Sequence, residues 1–368
     1  MEFNVFASAV LYIAVFLLAA YLARVGQVKK LRFLQIIAVA LPILLAGLRL
    51  HAGTDTDTYR TFYNQVGNES FAASMSRVSS GSMEPIIIML ARFGNMLHLD
   101  ASFVFTVFAA ITIISLYFAT RNLSKEHAWL YYGMLLFLCF PESLNIMRQI
   151  AAVSVQALAL SYIIKRTHAN KSVNVFLVAL LALFAVGLHY SSLLLIPALL
   201  LPFFVKHIRG RTLFVLMSLA IMICLFAFPQ VLHLIGELGL LPQKHLDTLL
   251  ATPGSLINIK FFAATILTGV FFANFFRRRD KKDKEYGFLM MLGMIYSGIG
   301  FYSGYVGRMS NFFWVFIIIA IVNLINQLFK QERDKLIVNS AIAVSYFVLY
   351  FAVFGFDAIF PYSTILLQ

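Results

Sequence analysis

Residues 144–160 read LNIMRQIAAVSVQALAL, an apolar run broken only by Asn145, Arg148, Gln149, Ser154 and Gln156. At about 3.6 residues per helical turn, Asn145, Arg148, Gln149 and Gln156 fall at i, i+3, i+4 and i+11, a polar stripe along an apolar cylinder. Lipid penalises such a stripe, since an arginine at the centre of a spanning helix costs roughly 2.5–3.5 kcal/mol even on the translocon scale. The stripe must therefore face other helices or a wet cavity, which requires a bundle that encloses it. Two readings stay open, a hydrogen-bonding seam between helices or a binding surface. The arginine favours the second, because its planar fork matches phosphate oxygens.

The rest of the chain has the composition of such a bundle. Of 368 residues, 61% are hydrophobic and 12% charged, against roughly 25% charged in a soluble domain; the mean hydropathy is +0.85. This is the composition of an all-α polytopic membrane protein. Apolar runs predict spans near 3–23, 33–50, 101–120, 128–140, 149–164, 172–188, 191–205, 212–228, 259–276, 286–303, 309–329 and 336–354, about twelve crossings in one integral membrane domain, 1–368. The run at 3–23 lacks a basic segment before it and reads as a first span with its N-terminus outside rather than a cleaved signal.

Short links at 24–32, 121–125, 165–171, 206–211, 277–284 and 330–335 hold 21 of the 29 Lys and Arg residues. The positive-inside bias places all six in the cytoplasm. They share one side only if 84–98, EPIIIMLARFGNMLH, is interfacial or re-entrant rather than a full crossing, which puts both termini outside. The inside then carries 21 basic and 6 acidic residues, and the remainder 8 basic and 10 acidic, matching the net charge of +13. That distribution reflects topology and excludes a nucleic-acid groove. Two extracytoplasmic segments follow: 51–98, a turn-rich loop plus the interfacial helix, and 229–258, semi-apolar with Pro and Gly. Cys139 and Cys224 both sit in apolar runs, so neither a disulfide framework nor a thiolate metal site is indicated.

Four patches cluster at the extracytoplasmic ends of spans: Arg49 with GTDTDTY after it, Arg148, His189 in LHYSS, and Arg308 in GYVGR with Tyr305 one turn before. Three arginines on one side, near acidic residues, suggest a clamp for a pyrophosphate; for Arg49 alone, snorkelling to headgroups is an equal alternative. His189 lies at the tip of a tight hairpin, where a neutral imidazole is placed to take a proton from a hydroxyl. Asp55 and Asp57 form a DxD that suits a divalent ion on a diphosphate but is also ordinary turn sequence. Glu84 precedes Pro85, where an acid equally suits a helix N-terminus. No P-loop, GxSxG, HExxH or GxGxxG signature is present.

Arg49 with Gly53, Asp55 and Tyr59, then Glu84-Pro85, Asn145 with Arg148-Gln149, His189 with Ser191–Ser192, and Tyr305 with Arg308 resemble the EpsG-like family of Wzy-type exopolysaccharide polymerases, over about residues 40–315. Asp57 and the Ser191–Ser192 pair depart from the family pattern, and Asp57 keeps the metal question open. The resemblance implies a metal-independent, cofactor-free inverting glycosyltransferase of the bacterial plasma membrane, with its site on the extracytoplasmic side. It implies undecaprenyl-pyrophosphate-linked oligosaccharides as donor and acceptor, with membrane lipid around them and a chain-length co-polymerase as a candidate partner. On that reading His189, Asp55 and Glu84 are the catalytic candidates. Arg49, Arg148 and Arg308 hold the pyrophosphate, and Tyr59, Asn145, Gln149 and Tyr305 position substrate. A lipid-linked oligosaccharide flippase and a membrane acyltransferase are the competing functions.

Overall fold

The computed structural model describes residues 4–205, 208–237, 259–278, 284–302, 307–308, 310–353 and 359–367, and their regular secondary structure is helical throughout. The chain divides into two compact units, one of Met1–Ile196 with Gln331–Gln368 and one of Pro197–Lys330.

The first unit begins with α1 (Val5–Val28) and α2 (Arg32–Gly47), continues with short helices α3 (Thr56–Asn68), α4 (Phe71–Ser79) and α5 (Pro85–Met96), then α6 (Ser102–Leu123), α7 (Ala128–Asn145), α8 (Met147–His168) and α9 (Val175–Leu188), and regains the chain at α15 (Glu332–Val353). Local chemistry sets several of these boundaries. Asn4 caps α1 by accepting from the Ala7 amide at 2.7 Å, and Asn174 caps α9 by accepting from Leu177 at 3.1 Å. Pro85 opens α5 at a position where its missing N–H costs nothing. Lys165, Arg166 and His168 occupy the last turn of α8, complementing its carbonyl end.

Among the described residues four helices are long and apolar enough to cross a membrane: α1, α6, α8 and α14 (Ser310–Leu328), the last in the second unit. The other predicted crossings that are described include shorter apolar helices such as α2 and α9, so length and hydropathy support four of the roughly twelve. The EPIII segment forms the 12-residue α5, about 18 Å long against the ~30 Å of a hydrocarbon core.

Three expectations need correction. The segment 51–83, read as turns, contains α3 and α4. Tyr59, Phe62, Tyr63 and Val66 recur at helical spacing on α3 and bury against Ile87, Ile88 and Ala91 of α5, Phe105 and Phe108 of α6, and Ala151 and Val155 of α8. That apolar stripe outweighs the turn-forming Thr, Asp and Asn around it. Second, the polar stripe is not on one helix: α7 ends at Asn145 and α8 starts at Met147, with Ile146 at φ −92° and ψ 52° between them. Asn145 and Arg148 therefore meet at a corner rather than along a face. Third, the predicted loop 229–258 begins as helix, since α11 (Gly210–Glu237) runs to Glu237; residues 238–258 lie outside the described residues.

The second unit comprises α10 (Ile196–Val205, its first residue excepted), α11, α12 (Ile259–Arg278), α13 (Lys284–Ile299) and α14. Within it α13 and α14 approach closely at Gly293, where an added Cβ would lie 2.9 Å from Ile317 Cδ1. Tyr296 stacks on Phe313 beside that contact, with ring centroids 5.1 Å apart.

The C-terminal residues close one end of the first unit. Leu50 donates its amide to Ser363 at 2.8 Å, Ile365 donates to Leu48 at 3.1 Å, and the Tyr362 hydroxyl donates to Leu45 at 2.8 Å. Tyr362 N donates to Ser8 Oγ at 2.9 Å, so the same segment ties α1 to the end of α2.

Candidate functional site

Arg49, Glu84, Arg148 and His189 are far apart in sequence, yet all lie at one end of the first unit: the end of α2, the start of α5, the start of α8 and the end of α9. Glu84 connects three of them. Its carboxylate is buried, 4% exposed. It accepts from Arg148 Nη1 on Oε2 and pairs through Oε1 with His189 Nδ1 at 2.5 Å. Arg148 also donates through Nε to the Tyr59 hydroxyl oxygen at 3.3 Å and through Nη1 to Met83 Sδ at 3.1 Å.

Each side chain is held from behind. The residue before Pro85 is biased towards extended backbone, and Glu84 adopts φ −77° and ψ 151°. Helices α5 and α9 come close because residue 187 is glycine: a Cβ there would lie 2.9 Å from Ile86 Cδ1. His189 ends α9 in an extended conformation, and the following 3₁₀ turn (Tyr190–Leu195) is pinned by Gln156, whose Nε2 donates to the Ser192 carbonyl at 2.8 Å. Gln156 thus belongs to the seam reading of the stripe. Asn145 is a strut: its Oδ1 accepts from the Thr54 amide at 2.7 Å and the Thr54 hydroxyl at 3.2 Å. The loop it holds needs Gly53, at φ 106°, where a Cβ would meet Leu144 O at 2.5 Å.

The electrostatics favour an ionised carboxylate. Burial pushes the Glu84 carboxyl up, but the His189 hydrogen bond and the charges of Arg148 and His189 together outweigh it, so its pKa lies below the usual value. Where Nδ1 donates to the ionised Glu84, Nε2 is the ring nitrogen turned away from the carboxylate. Arg148 and His189 side chains are 20% and 26% exposed while that of Glu84 is 5%, so the cation and the imidazole face outward over a buried anion. Burial raises the Tyr59 phenol despite the counteracting Arg148 charge, keeping it neutral.

The remaining expected site residues fall elsewhere. Arg49 is 1% exposed and faces inward. It donates to the carbonyls of Ala46 at 2.6 Å and Leu144 at 3.3 Å and to Thr56 Oγ1 at 3.3 Å, while its guanidinium packs 4.3 Å from the Phe105 ring centroid. This joins the ends of α2 and α7 to the start of α3. Asp55 stands just before α3, its carboxylate accepting from Thr54 Oγ1 at 3.4 Å, and Asp57 pairs with His51 Nδ1 at 3.0 Å on the exposed side. Among the described residues no group of three His, Cys, Asp or Glu side chains is arranged to hold a metal ion. Gln149 is buried in the first turn of α8. Arg308 is exposed just before α14 in the second unit, its carbonyl accepting from Asn311 N at 3.1 Å. Tyr305 lies outside the described residues. Met83 and Tyr190 were not anticipated; the Tyr190 hydroxyl donates to the Met83 carbonyl at 3.4 Å, and adjacency to Glu84 and His189 was the only signal for either.

A model of the EpsG family matches residues 32–364, which include every candidate site residue. No curated protein and no solved structure matches the chain.

Proposed function

The chain belongs to the EpsG family, and from that premise we propose that it polymerises lipid-pyrophosphate-linked oligosaccharide repeats into exopolysaccharide at the outer face of the plasma membrane. The observation that carries the reading is the buried carboxylate of Glu84, held at once by a cation, Arg148, and by an imidazole, His189. An inverting glycosyl transfer with a pyrophosphate leaving group needs both functions in one site, flanking the anomeric carbon: positive charge where the leaving group departs, and a base on the opposite face where the acceptor hydroxyl loses its proton.

The acceptor hydroxyl oxygen attacks the anomeric carbon from the face opposite the pyrophosphate. The new C–O bond forms as the bond to the pyrophosphate oxygen breaks, with inversion, and the leaving oxygen keeps the electron pair. The hydroxyl proton passes to His189 Nε2. Glu84 then stabilises the imidazolium, as the carboxylate of a catalytic triad does. Arg148 neutralises the departing diphosphate; each charge-assisted contact contributes roughly 1.5–3 kcal/mol. Glu84, a catalytic candidate by sequence, is in this scheme a positioning residue. Tyr59 orients Arg148, Asn145 fixes the loop beside it, and Gln149 stays assigned to substrate positioning. Arg49 becomes an internal brace. Arg308, Tyr305 and Asp55 keep the roles that the family resemblance implies.

The test is purified protein in proteoliposomes supplied with an undecaprenyl-pyrophosphate-linked repeat. A product ladder that is lost in His189→Ala and strongly reduced in Arg148→Lys while both variants insert normally supports the reading. Transport of the lipid-linked repeat without chain extension supports a flippase instead and sinks it.

A further inference from the structure

At the opposite end of α2 and α6 from Arg49, a groove of about 680 Å³ opens between α1, α2 and α6. Its mouth carries Lys30, Arg32 and Arg121, and among the described residues no acidic side chain lines it. Its wall is apolar and outward-facing, with Ile36 67%, Phe118 48% and Ile114 41% exposed. The floor is rigid. Gln35 accepts on Oε1 from both the Tyr117 hydroxyl and Arg121 Nη1, each at 3.0 Å, and donates through Nε2 to the Gly26 carbonyl at 2.9 Å. Arg121 is thereby fixed over the groove, its guanidinium 5.7 Å from the Tyr117 ring centroid.

We propose that this groove binds one anionic phospholipid of the leaflet facing the basic links, its phosphate among Lys30, Arg32 and Arg121 and one acyl chain along Ile36, Val39 and Ile43. Three cations at the rim of an apolar trough, with no acidic side chain in its described lining, match a molecule that is anionic at one end and hydrocarbon at the other. A soluble phosphate uses only the mouth and a neutral lipid only the wall. The inference does not depend on the polymerase reading, because the groove shares no residue with the Glu84 cluster.

The experiment compares thermal unfolding of the full-length protein in neutral detergent with added phosphatidylglycerol, phosphatidylcholine or inorganic phosphate, alongside native mass spectrometry of retained lipid. Phosphatidylglycerol is expected to raise the unfolding temperature and to be retained, and the other two are not. Each cation removed is expected to weaken binding about fivefold, so that K30Q/R32Q weakens it roughly 25-fold. Ala40→Trp, which fills the wall with the cations intact, is expected to expel the lipid. K125Q/K171Q, which removes basic charge outside the groove, is expected to change neither readout. Equal responses to both lipids, a response to phosphate matching that to phosphatidylglycerol, full retention in K30Q/R32Q or Ala40→Trp, or an equal loss in K125Q/K171Q would each overturn the proposal.

Discussion

Two neighbouring regions at one end of the first unit use the same side chain for opposite purposes. In the corner where α2 meets α3, Arg49 is sealed under the C-terminal residues and donates to backbone carbonyls. In the cluster over α5, α8 and α9, Arg148 leans on a buried carboxylate and stays partly open. A guanidinium aimed at helix-end carbonyls satisfies acceptors that have no intrahelical partner, and so builds structure. One aimed at an anion beside an imidazole retains its charge and an exposed edge, and so is equipped for a substrate. Position at the same end of the unit does not separate the two; the partner does.

The strongest way to break that contrast is at His189. His189→Ala is expected to lower polymerisation by roughly 10²–10⁴-fold, the usual contribution of a general base, with a smaller loss of thermal stability than Arg49→Lys. Arg49→Lys should show the reverse emphasis: a stability loss on the order of 3 kcal/mol from stranded carbonyl acceptors, read by thermal unfolding. If Arg49→Lys unfolds like the wild type and loses only activity, the corner is part of the site and the contrast fails. Arg148→Lys is expected to cost roughly ten- to a hundredfold in rate, because an ammonium cannot reproduce a fork that holds Tyr59 and Glu84 together.

Smaller effects sharpen the same distinction. Glu84 has its folded pKa depressed, so its stabilisation is present above the ordinary carboxylate range and is lost as pH falls through the lowered value. Unfolding temperature measured towards acid pH should therefore fall more steeply in the wild type than in Glu84→Gln; parallel curves would mean that the carboxylate is not held as described. Tyr59→Phe removes only the hydroxyl that accepts from Arg148. A loss of roughly three- to tenfold in rate is expected, with stability nearly intact.

Much of the cluster was legible because membrane insertion makes polar residues conspicuous. Arg148, His189 and Glu84 stand out against apolar runs, and the basic links placed them at one end before any contact was known. What could not be read was direction. Nothing local in sequence distinguishes Arg49 facing carbonyls from Arg148 facing a carboxylate, and Tyr362 lies over 300 residues from its partner at Leu45. The helix α3 was readable, since Tyr59, Phe62, Tyr63 and Val66 keep a helical period, but the turn-forming residues between them obscured it. The corner at Ile146 was hidden because Asn145 and Arg148 on either side of it fit a helical stripe and no Gly or Pro stands at the junction.

The most direct measurement is a double-mutant cycle on chain extension in proteoliposomes, using Glu84→Gln and His189→Gln singly and together. If one carboxylate orients the base, the two losses are strongly non-additive and the double variant is little worse than His189→Gln alone. Losses that simply multiply would show two independent groups, and the shared-anion mechanism would be wrong.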